Sequence, residues 1–193
     1  MNHFFESIQG WSSMGDQGML IKKIIDLVGD KKIKIAEIGV YKGRGTAIFN
    51  VELINSGIEY EYHAIDHFDA FWNADSYGFG EDAKKIDYYS ETLENLSPIL
   101  DKIKVIKNKS IEQSKQYEDE YFDVIYIDGA HDYESVKNDI QHWLPKLKSD
   151  GIICGDDYTS GWPGVIQAIK ETVGDVEVIG NQQWIKYKKK MIQ

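Results

Sequence analysis

The sequence predicts a doubly wound α/β fold: a mostly parallel seven-stranded sheet, helices on both faces and a C-terminal antiparallel hairpin. From Ile33 onward, short apolar runs alternate with segments of helical period, which is typical of repeated βα units. Two late apolar runs are separated by the turn-prone Gly180-Asn181-Gln182, which predicts the hairpin. The predicted strands are Ile33–Ile38, Tyr60–Ile65, Ile103–Ile106, Phe122–Ile127, Gly151–Cys154, Val176–Ile179 and Gln183–Tyr187.

Two apolar stripes at helical spacing predict helices that pack on the sheet. They are Ala47, Ile48, Val51 and Ile54, and then Val136, Ile140, Trp143, Leu144 and Leu147. We expect a single domain over residues 1–193, in which residues 1–30 form an N-terminal helical cap segment. Residues 67–82, rich in aromatics and glycine, predict a long loop near the active site that acts as a lid.

Composition narrows the classes of partner. The chain has 193 residues and a formal net charge of −10, which repels the phosphate backbone, so we expect no nucleic-acid substrate. A single cysteine, Cys154, lies in an apolar run that predicts a buried strand, and one cysteine cannot form an internal disulfide. Without a signal-peptide pattern or a membrane-spanning run, we expect a soluble, unprocessed cytoplasmic protein. A homo-oligomer remains open.

The residues that follow the first two strands predict a nucleoside site, because ligands of open parallel sheets bind beyond the carboxyl ends of the strands. Glu37-Ile38-Gly39-Val40-Tyr41-Lys42-Gly43-Arg44-Gly45-Thr46 ends the first strand, and its glycines allow a tight turn and close approach to a ligand. Asp66, about 20 residues beyond the glycine loop, can accept both hydroxyl hydrogens of a ribose.

This pattern alone also suits a nicotinamide-dependent oxidoreductase of the NAD type. Two features oppose an oxidoreductase. The glycine spacing is not Gly-x-Gly-x-x-Gly, and Glu37 would put a negative charge beside a pyrophosphate. A ligand that carries an ammonium and a sulfonium fits this charge better.

Three carboxylates arrive at neighbouring strand ends, Asp128 after the fourth strand and Asp156 and Asp157 after the fifth. Such a cluster either raises the pKa of its members or gathers a cation, and an all-oxygen set suits magnesium or calcium. His131 stands three residues after Asp128, where an imidazole can accept a proton near neutral pH. Asp132 is expected to cap the following helix.

These motifs resemble a known enzyme family. Glu37-x-Gly39-x-Tyr41-x-Gly43, preceded by Met14-Gly15-Asp16, resembles catechol O-methyltransferase and its metal-dependent relatives, which are class I S-adenosylmethionine-dependent methyltransferases. The downstream motifs resemble the bacterial branch of macrolide and sugar O-methyltransferases, and together they span roughly Met14 to Val173. These motifs are Asp128-Gly-Ala-His131-Asp-Tyr133-Glu, Asp156-Asp157-Tyr158 and Pro163-Gly164-Val165.

The resemblance implies a Rossmann-like methyltransferase fold and a role for each matching residue. Glu37 and the backbone at Gly39 would hold the methionine end of S-adenosylmethionine, Asp66 the ribose and Ser110 the adenine edge. Met14 would lie near the sulfonium. The resemblance also places Tyr41 and Gly43 in the cofactor loop. Gly45 stands where the catechol enzyme has a serine, which leaves cofactor contacts to Thr46 or to the backbone. Asp128, Asp156 and Asp157 would ligate Mg²⁺, and His131 would occupy the position of a lysine base.

The predicted reaction is in-line methyl transfer to a hydroxyl of a small molecule or sugar, activated by the metal and by His131. Asp128 contributes to catalysis as well as to the metal and cofactor sites. Trp72, Tyr77, Phe79, Tyr158 and Trp162 are available to stack on an acceptor. The sequence is also compatible with a cofactor-binding module that lacks turnover and with a different reaction on the same fold.

Overall fold

The computed structural model describes residues 1–69 and 86–190. One sheet of seven strands organises them, in the order β3-β2-β1-β4-β5-β7-β6, with β7 antiparallel to both of its neighbours. Its strands are β1 Ile33–Ile38, β2 Tyr60–Asp66, β3 Ile103–Lys107, β4 Phe122–Ile127, β5 Leu147–Gly155, β6 Glu177–Ile179 and β7 Gln183–Tyr187. The predicted doubly wound sheet and its C-terminal hairpin are therefore confirmed.

In the described part of the chain, six α-helices connect and cover the strands. They are α1 Gln17–Val28, α2 Arg44–Ser56, α3 Tyr88–Asn95, α4 Ser110–Ser114, α5 Tyr133–Trp143 and α6 Pro163–Thr172. None of the helices within the described ranges is long and apolar enough to cross a bilayer. Most of the predicted lid, residues 67–82, lies outside the described residues, as do Trp72, Tyr77 and Phe79.

The alternation of side chains along the strands gives the sheet two cores. On β1, Ile33 and Ile35 face a core that contains α1 and α2, whereas Ala36 and Ile38 face a second core with α5 and α6. Glu37 belongs to the first series, because residues two apart on a strand share a face. Its carboxyl is thereby directed under α2, and only 1% of the residue is exposed.

The predicted apolar stripe of α5 is wrong at its end. Helix α5 ends at Trp143, and Leu144–Lys146 forms a 3₁₀ turn that contains Pro145. Leu147, four residues after Trp143, fits the helical spacing but opens β5 instead. A proline removes a backbone donor and clashes inside a helix, so the chain leaves the helix there.

The chain order reverses between β1 and β4, which lie side by side in parallel. Strands β2 and β3 extend the sheet to one side of this pair, and β5 with the hairpin extends it to the other. Ligands of doubly wound sheets bind at the carboxyl ends of the strands beside such a reversal. The loops after β1, β2, β4 and β5 all reach this edge.

Candidate active site

A cavity of about 940 Å³ opens at the carboxyl edge, where the loops after β1, β2, β3, β4 and β5 meet. Its volume lies at the upper end of the range for small-molecule sites. Most of the side chains predicted from the sequence line it: Glu37, Gly39, Tyr41, Asp66, Ser110, Asp128, His131, Asp156 and Asp157.

Three predicted residues do not form part of the cavity wall. The thioether of Met14 lies against Gly18 in the first turn of α1. Gly43 adopts a left-handed conformation as the residue before α2, with φ of 88°. Thr46 is fully buried behind the wall, where its hydroxyl donates to Oε2 of Glu37 at 2.7 Å. Thr46 thus contacts a residue of the wall, Glu37, and Gly43 precedes the helix that carries Thr46.

The glycine loop passes very close to the end of β4. Gly39 has φ of 95°, and a Cβ atom there would lie 2.0 Å from the carbonyl oxygen of Asp128. Any side chain would collide with backbone, so only glycine allows β1 and β4 to approach at this point. Tyr41 also has positive φ, 53°, which is uncommon for a residue with a side chain and marks a constrained turn beside the cavity.

Glu37 is a buried carboxyl group at the end of β1 that reaches the cavity. Burial away from water raises its pKa to about 8, although the hydrogen bond from Thr46 favours the ionised form. The charge of Asp66 raises the pKa further. The ligand-free site therefore holds Glu37 mostly protonated at neutral pH, and a cation beside it would favour ionisation.

Asp66 supports the glycine loop as well as lining the cavity. Its Oδ2 accepts the backbone N–H groups of Val40 and Tyr41 at 2.8 and 2.9 Å. Its Oδ1 accepts the N–H of Phe68 at 2.8 Å. A carboxylate has about four acceptor positions, so these three bonds leave one of them for a ligand. The sequence predicts the ligand contact but does not reveal this structural role.

Asp128, Asp156 and Asp157 meet beside β4 and β5, as predicted. Burial and then the charges of Asp156 and Asp157 raise the pKa of Asp128 well above its usual range. Burial and Asp157 raise the pKa of Asp156 to about 6. Within the described ranges, no lysine or arginine forms an ion pair with the three carboxylates. Their mutual repulsion and oxygen chemistry fit a divalent cation.

The carboxylates are already engaged by nearby protein groups. Asp156 Oδ1 accepts the N–H of Asp157 at 2.7 Å, and the hydroxyl of Tyr126 lies 3.4 Å from Oδ2 of Asp128. Across the described residues, no group of three or more histidine, cysteine or acidic side chains is arranged to hold a metal. The donor chemistry suits a cation, and binding one would require these side chains to turn.

His131 is held from two sides. Its Nε2 lies 2.9 Å from Oδ2 of Asp157. Its ring stacks on Trp162 with centroids 4.3 Å apart and an angle of 22° between the planes. Asp157 adopts φ of 66°, a strained conformation for this residue type that is stabilised by its surroundings. The pairing of His131 with Asp157 was not predicted from the sequence, which assigned Asp157 to the metal alone.

A second polar network joins α4 to α5 at the cavity wall. The hydroxyl of Ser110 donates to Oδ1 of Asp139, and Nε1 of Trp143 donates to Ser110 Oγ at 2.8 Å. Asp139 was not predicted from the sequence. Its spacing could have indicated it, because Asp139 shares the buried face of α5 with three apolar residues, and a buried carboxylate needs a hydrogen-bond partner. The apolar residues are Val136, Ile140 and Trp143.

The N-terminal segment forms one wall of the cavity through Gly10, Trp11 and Ser12. Arg44, the first residue of α2, holds it in place: its guanidinium donates to the carbonyls of Phe5, Ile8 and Ser12 at 2.8 to 2.9 Å. Trp11 stacks on Tyr41 of the glycine loop, with centroids 5.3 Å apart. Trp11, within the segment predicted as a cap, therefore packs against the glycine loop. Asp132 caps α5 as expected, accepting the N–H of Ser135.

Comparison with proteins of known sequence identifies the family. A family model described as a methyltransferase domain matches residues 36–158. An uncharacterized protein of Sinorhizobium fredii is 23% identical over 157 residues, which cover 80% of this chain and 16% of that protein. This chain therefore corresponds to a small part of its curated relative.

Solved structures share the fold at low sequence identity. The O-methyltransferase NovP has a TM-score of 0.67 at 15% identity, with 89% of this chain and 77% of NovP covered. An O-methyltransferase from Bacillus cereus, solved in complex with SAH, has a TM-score of 0.60 at 16% identity over 91% and 80% of the two chains.

A TDP-rhamnose 3'-O-methyltransferase of calicheamicin biosynthesis has a TM-score of 0.58 at 15% identity over 88% and 77%. The hypothesis of a nicotinamide-dependent oxidoreductase finds no support in these matches. Since the family match spans well over half of the residues and includes the glycine loop and the carboxylate cluster, the chain belongs to the methyltransferase domain family, with the fold of S-adenosylmethionine-dependent enzymes.

Proposed function

We propose that this chain is an S-adenosylmethionine-dependent O-methyltransferase that acts on a hydroxyl group of a small molecule or sugar. One observation carries the proposal: a single cavity joins the glycine loop and its acids, Glu37 and Asp66, to His131 and the three aspartates. The first group suits a cationic nucleoside, and the second suits the activation of a hydroxyl. Methyl transfer requires both in one site.

The cofactor is proposed to lie along the carboxyl edge of the sheet. Glu37 would hold its ammonium, and the backbone at Gly39 would contact the methionine portion. The remaining acceptor position of Asp66 would receive one ribose hydroxyl, rather than the two that the sequence suggested. When bound, the sulfonium supplies a methyl carbon that is open to attack by an oxygen nucleophile.

His131 is proposed as the general base. If Nε2 donates its proton to Asp157, the neutral ring carries its lone pair on Nδ1. Nδ1 would then accept the proton of the acceptor hydroxyl, which leaves that oxygen free to act as the nucleophile toward the methyl group of the cofactor. Stacking on Trp162 and the bond to Asp157 fix the plane of the ring. Asp157 is therefore a positioning residue for the base.

Asp128, Asp156 and Asp157 are also proposed to hold Mg²⁺. The support is the concentration of negative charge described above, without a lysine or arginine ion pair among the described residues. When bound, the ion would supply Lewis-acid polarisation of an acceptor oxygen. Calorimetric titration with Mg²⁺ tests this, and binding to the wild type should be weakened at least tenfold in Asp156→Asn. Equal affinities, or no binding at millimolar Mg²⁺, would remove the metal from the proposal.

The acceptor class is inferred from the cavity and from the relatives. Space beside Trp162 and the three aspartates suits a planar or polyhydroxylated acceptor. One structural relative is a TDP-rhamnose 3'-O-methyltransferase, and this supports a sugar hydroxyl. A cytoplasmic location remains a prediction from the single buried cysteine and the composition.

Two measurements test the function. Calorimetry should detect S-adenosylhomocysteine binding, and a screen of sugar and catechol acceptors with labelled S-adenosylmethionine should detect methyl transfer. His131→Gln should bind the nucleoside normally and lose about 100-fold or more in rate, because glutamine offers no basic lone pair. His3→Gln is the matched control, since His3 pairs with Glu52 at 2.8 Å, away from the cavity.

Each outcome has a clear meaning. No binding of S-adenosylhomocysteine would refute the cofactor assignment. Binding without transfer to any acceptor in the panel would favour a cofactor-binding module without turnover. An unchanged rate in His131→Gln would move the proton acceptor elsewhere.

A further inference from the structure

A buried carboxylate that the proposed mechanism does not use, Asp139, lies on the cavity wall. Asp139 is 9% exposed, and burial raises its pKa to about 6, so the group is largely ionised at neutral pH. An ionised carboxylate is only an acceptor of hydrogen bonds and is costly to bury without donors. Its surroundings therefore indicate what it is placed to receive.

One oxygen of Asp139 is fixed by the protein. The Ser110 hydroxyl donates its single proton to Oδ1, and Ser110 Oγ in turn accepts from Trp143 Nε1. Since the Ser110 proton is committed to Asp139, Ser110 has none to offer a ligand. The network holds Asp139 in one orientation from two neighbouring elements, α4 and α5.

The other oxygen lies beside the loop after β4, which also lines the cavity. Oδ2 lies 3.5 Å from the position of a Cβ at Gly129, a wall residue of the loop after β4. Within residues 1–69 and 86–190, no hydrogen bond reaches Oδ2. Ile111, the chain neighbour of Ser110, and Ala130, the chain neighbour of Gly129, also line the cavity and provide apolar surface for a flat ring. The site thus offers one oriented acceptor beside apolar walls.

We propose that Asp139 selects the base of the bound nucleoside, its Oδ2 accepting a hydrogen bond from the exocyclic amino group of adenine. The proposal for Asp139 rests on the proposed function. It adds to the site a residue that discriminates an amino-purine from an oxo-purine. An amino group donates to a carboxylate, whereas a carbonyl at the same ring position would oppose it with a second acceptor. Asp66, at the end of β2, remains the candidate for the ribose.

Two ligands that differ at this ring position, and in the hydrogen that the oxo compound carries on the adjacent N1, test the proposal. They are S-adenosylhomocysteine and S-inosylhomocysteine, in which an oxo group replaces the amino group. The wild type should bind the adenosyl compound at least about tenfold more tightly, the loss expected for one hydrogen bond to a charged group. Asp139→Asn should lose or reverse this preference, because its amide can donate to the oxo group.

Glu134→Gln is the matched control. It removes the same charge from an exposed position of the same helix and should keep the wild-type preference. Thermal melting establishes that each variant is folded. If Asp139→Asn does not fold, Ser110→Ala, which frees Oδ1, should reduce the preference in the same direction.

Failure of this proposal is distinguishable from failure of the proposed function. A wild type that binds both compounds with affinities within threefold would overturn the role of Asp139 while leaving the cofactor class intact. A folded Asp139→Asn that keeps the full wild-type preference would also overturn it. A wild type that binds neither compound would overturn both.

Discussion

Ligand binding in the cavity is expected to release a proton from Glu37. Burial raises its pKa to about 8 in the free protein, and the groups that act on it are Thr46 of α2, Tyr62 and Asp66 of β2, and Asp128 of β4. A bound ammonium beside the carboxyl would lower the pKa and trap the ionised form. Affinity for S-adenosylhomocysteine should therefore rise with pH.

The magnitude follows from the titration. With a pKa of about 8, about 1% of free sites are ionised at pH 6 and about a quarter at pH 7.5, so affinity should rise about 20-fold over this interval. Calorimetry in two buffers of different ionisation enthalpy should detect the release of about one proton per ligand near pH 6.5. In Glu37→Gln, both the pH dependence and the proton release attributable to this group should disappear.

Two results would refute this reasoning. Affinity in the wild type that does not change between pH 6 and 7.5 would mean that Glu37 does not meet the cationic part of the ligand. Proton release that persists unchanged in Glu37→Gln would assign it to another group, such as Asp139, whose pKa is also raised.

The same shift makes a stability prediction for the ligand-free protein. The native state binds a proton at Glu37 that the unfolded chain, with a pKa of about 4.5, loses first. Stability from this group is therefore full below about pH 4.5, falls as pH rises and stays low above about pH 8. Between pH 5 and 9, the free energy of unfolding measured with urea should therefore decrease less in Glu37→Gln than in the wild type. The same decrease in both proteins would contradict the raised pKa of Glu37.

Three further changes probe the framework. Asp66→Asn should lower both the melting temperature and nucleoside affinity, because an amide cannot accept all three loop N–H groups; a loss of affinity alone would contradict the structural role. Gly39→Ala should cost at least about 2 kcal/mol more than Gly57→Ala by urea unfolding, since both have positive φ but only Gly39 meets backbone; equal costs would count against the close approach. Asp132→Ala should cost about 1 kcal/mol through the lost helix cap, and unchanged stability would refute that role.

Strand positions were predictable because each strand is an apolar run bounded by polar or turn residues. Ile33–Ile38, Phe122–Ile127 and Gln183–Tyr187 agree with the structure at both ends. The error at Leu147 came from spacing alone, which does not register that Pro145 stops a helix. Apolar spacing alone does not show whether the helix continues through the residues between Trp143 and Leu147.

Those residues of the candidate site that lie at or just after the end of a strand were predictable from the sequence. Glu37, Asp66, Asp128 and Asp156 are brought to one edge by the parallel topology alone. Pairings between side chains were not predictable in this way, as His131 with Asp157 illustrates. They depend on how loops fold back, which no spacing in the sequence encodes.

Two other positions illustrate the limits of resemblance. Met14 was assigned to the sulfonium from its place in a matching motif, but its side chain packs against Gly18 outside the cavity wall. The position of Met14 depends on how the N-terminal segment is held against α2 by Arg44. Asp139, in contrast, carries no family motif and was overlooked, although its place on a buried helical face was visible in the sequence.

Residues 5–12, which Arg44 attaches to α2, form part of the cavity wall but lie outside the sheet. The shape of this wall and the pairing of the strands can therefore vary separately. This segment contributes a wall of the cavity but no strand of the sheet, and its polar anchors include the guanidinium of Arg44 and the ammonium of Lys42, which donates to Gln9 Oε1 at 2.7 Å. Changes at Trp11 or Ser12 can therefore reshape this wall while the pairing of β1 to β7 stays intact, whereas a side chain at Gly10 would lie 3.0 Å from Cβ of Arg44. In a laboratory evolution experiment directed at new acceptors, Trp11 and Ser12 are therefore the positions of this segment to vary, whereas Phe5 and Ile8 belong to the hydrophobic core and should be kept.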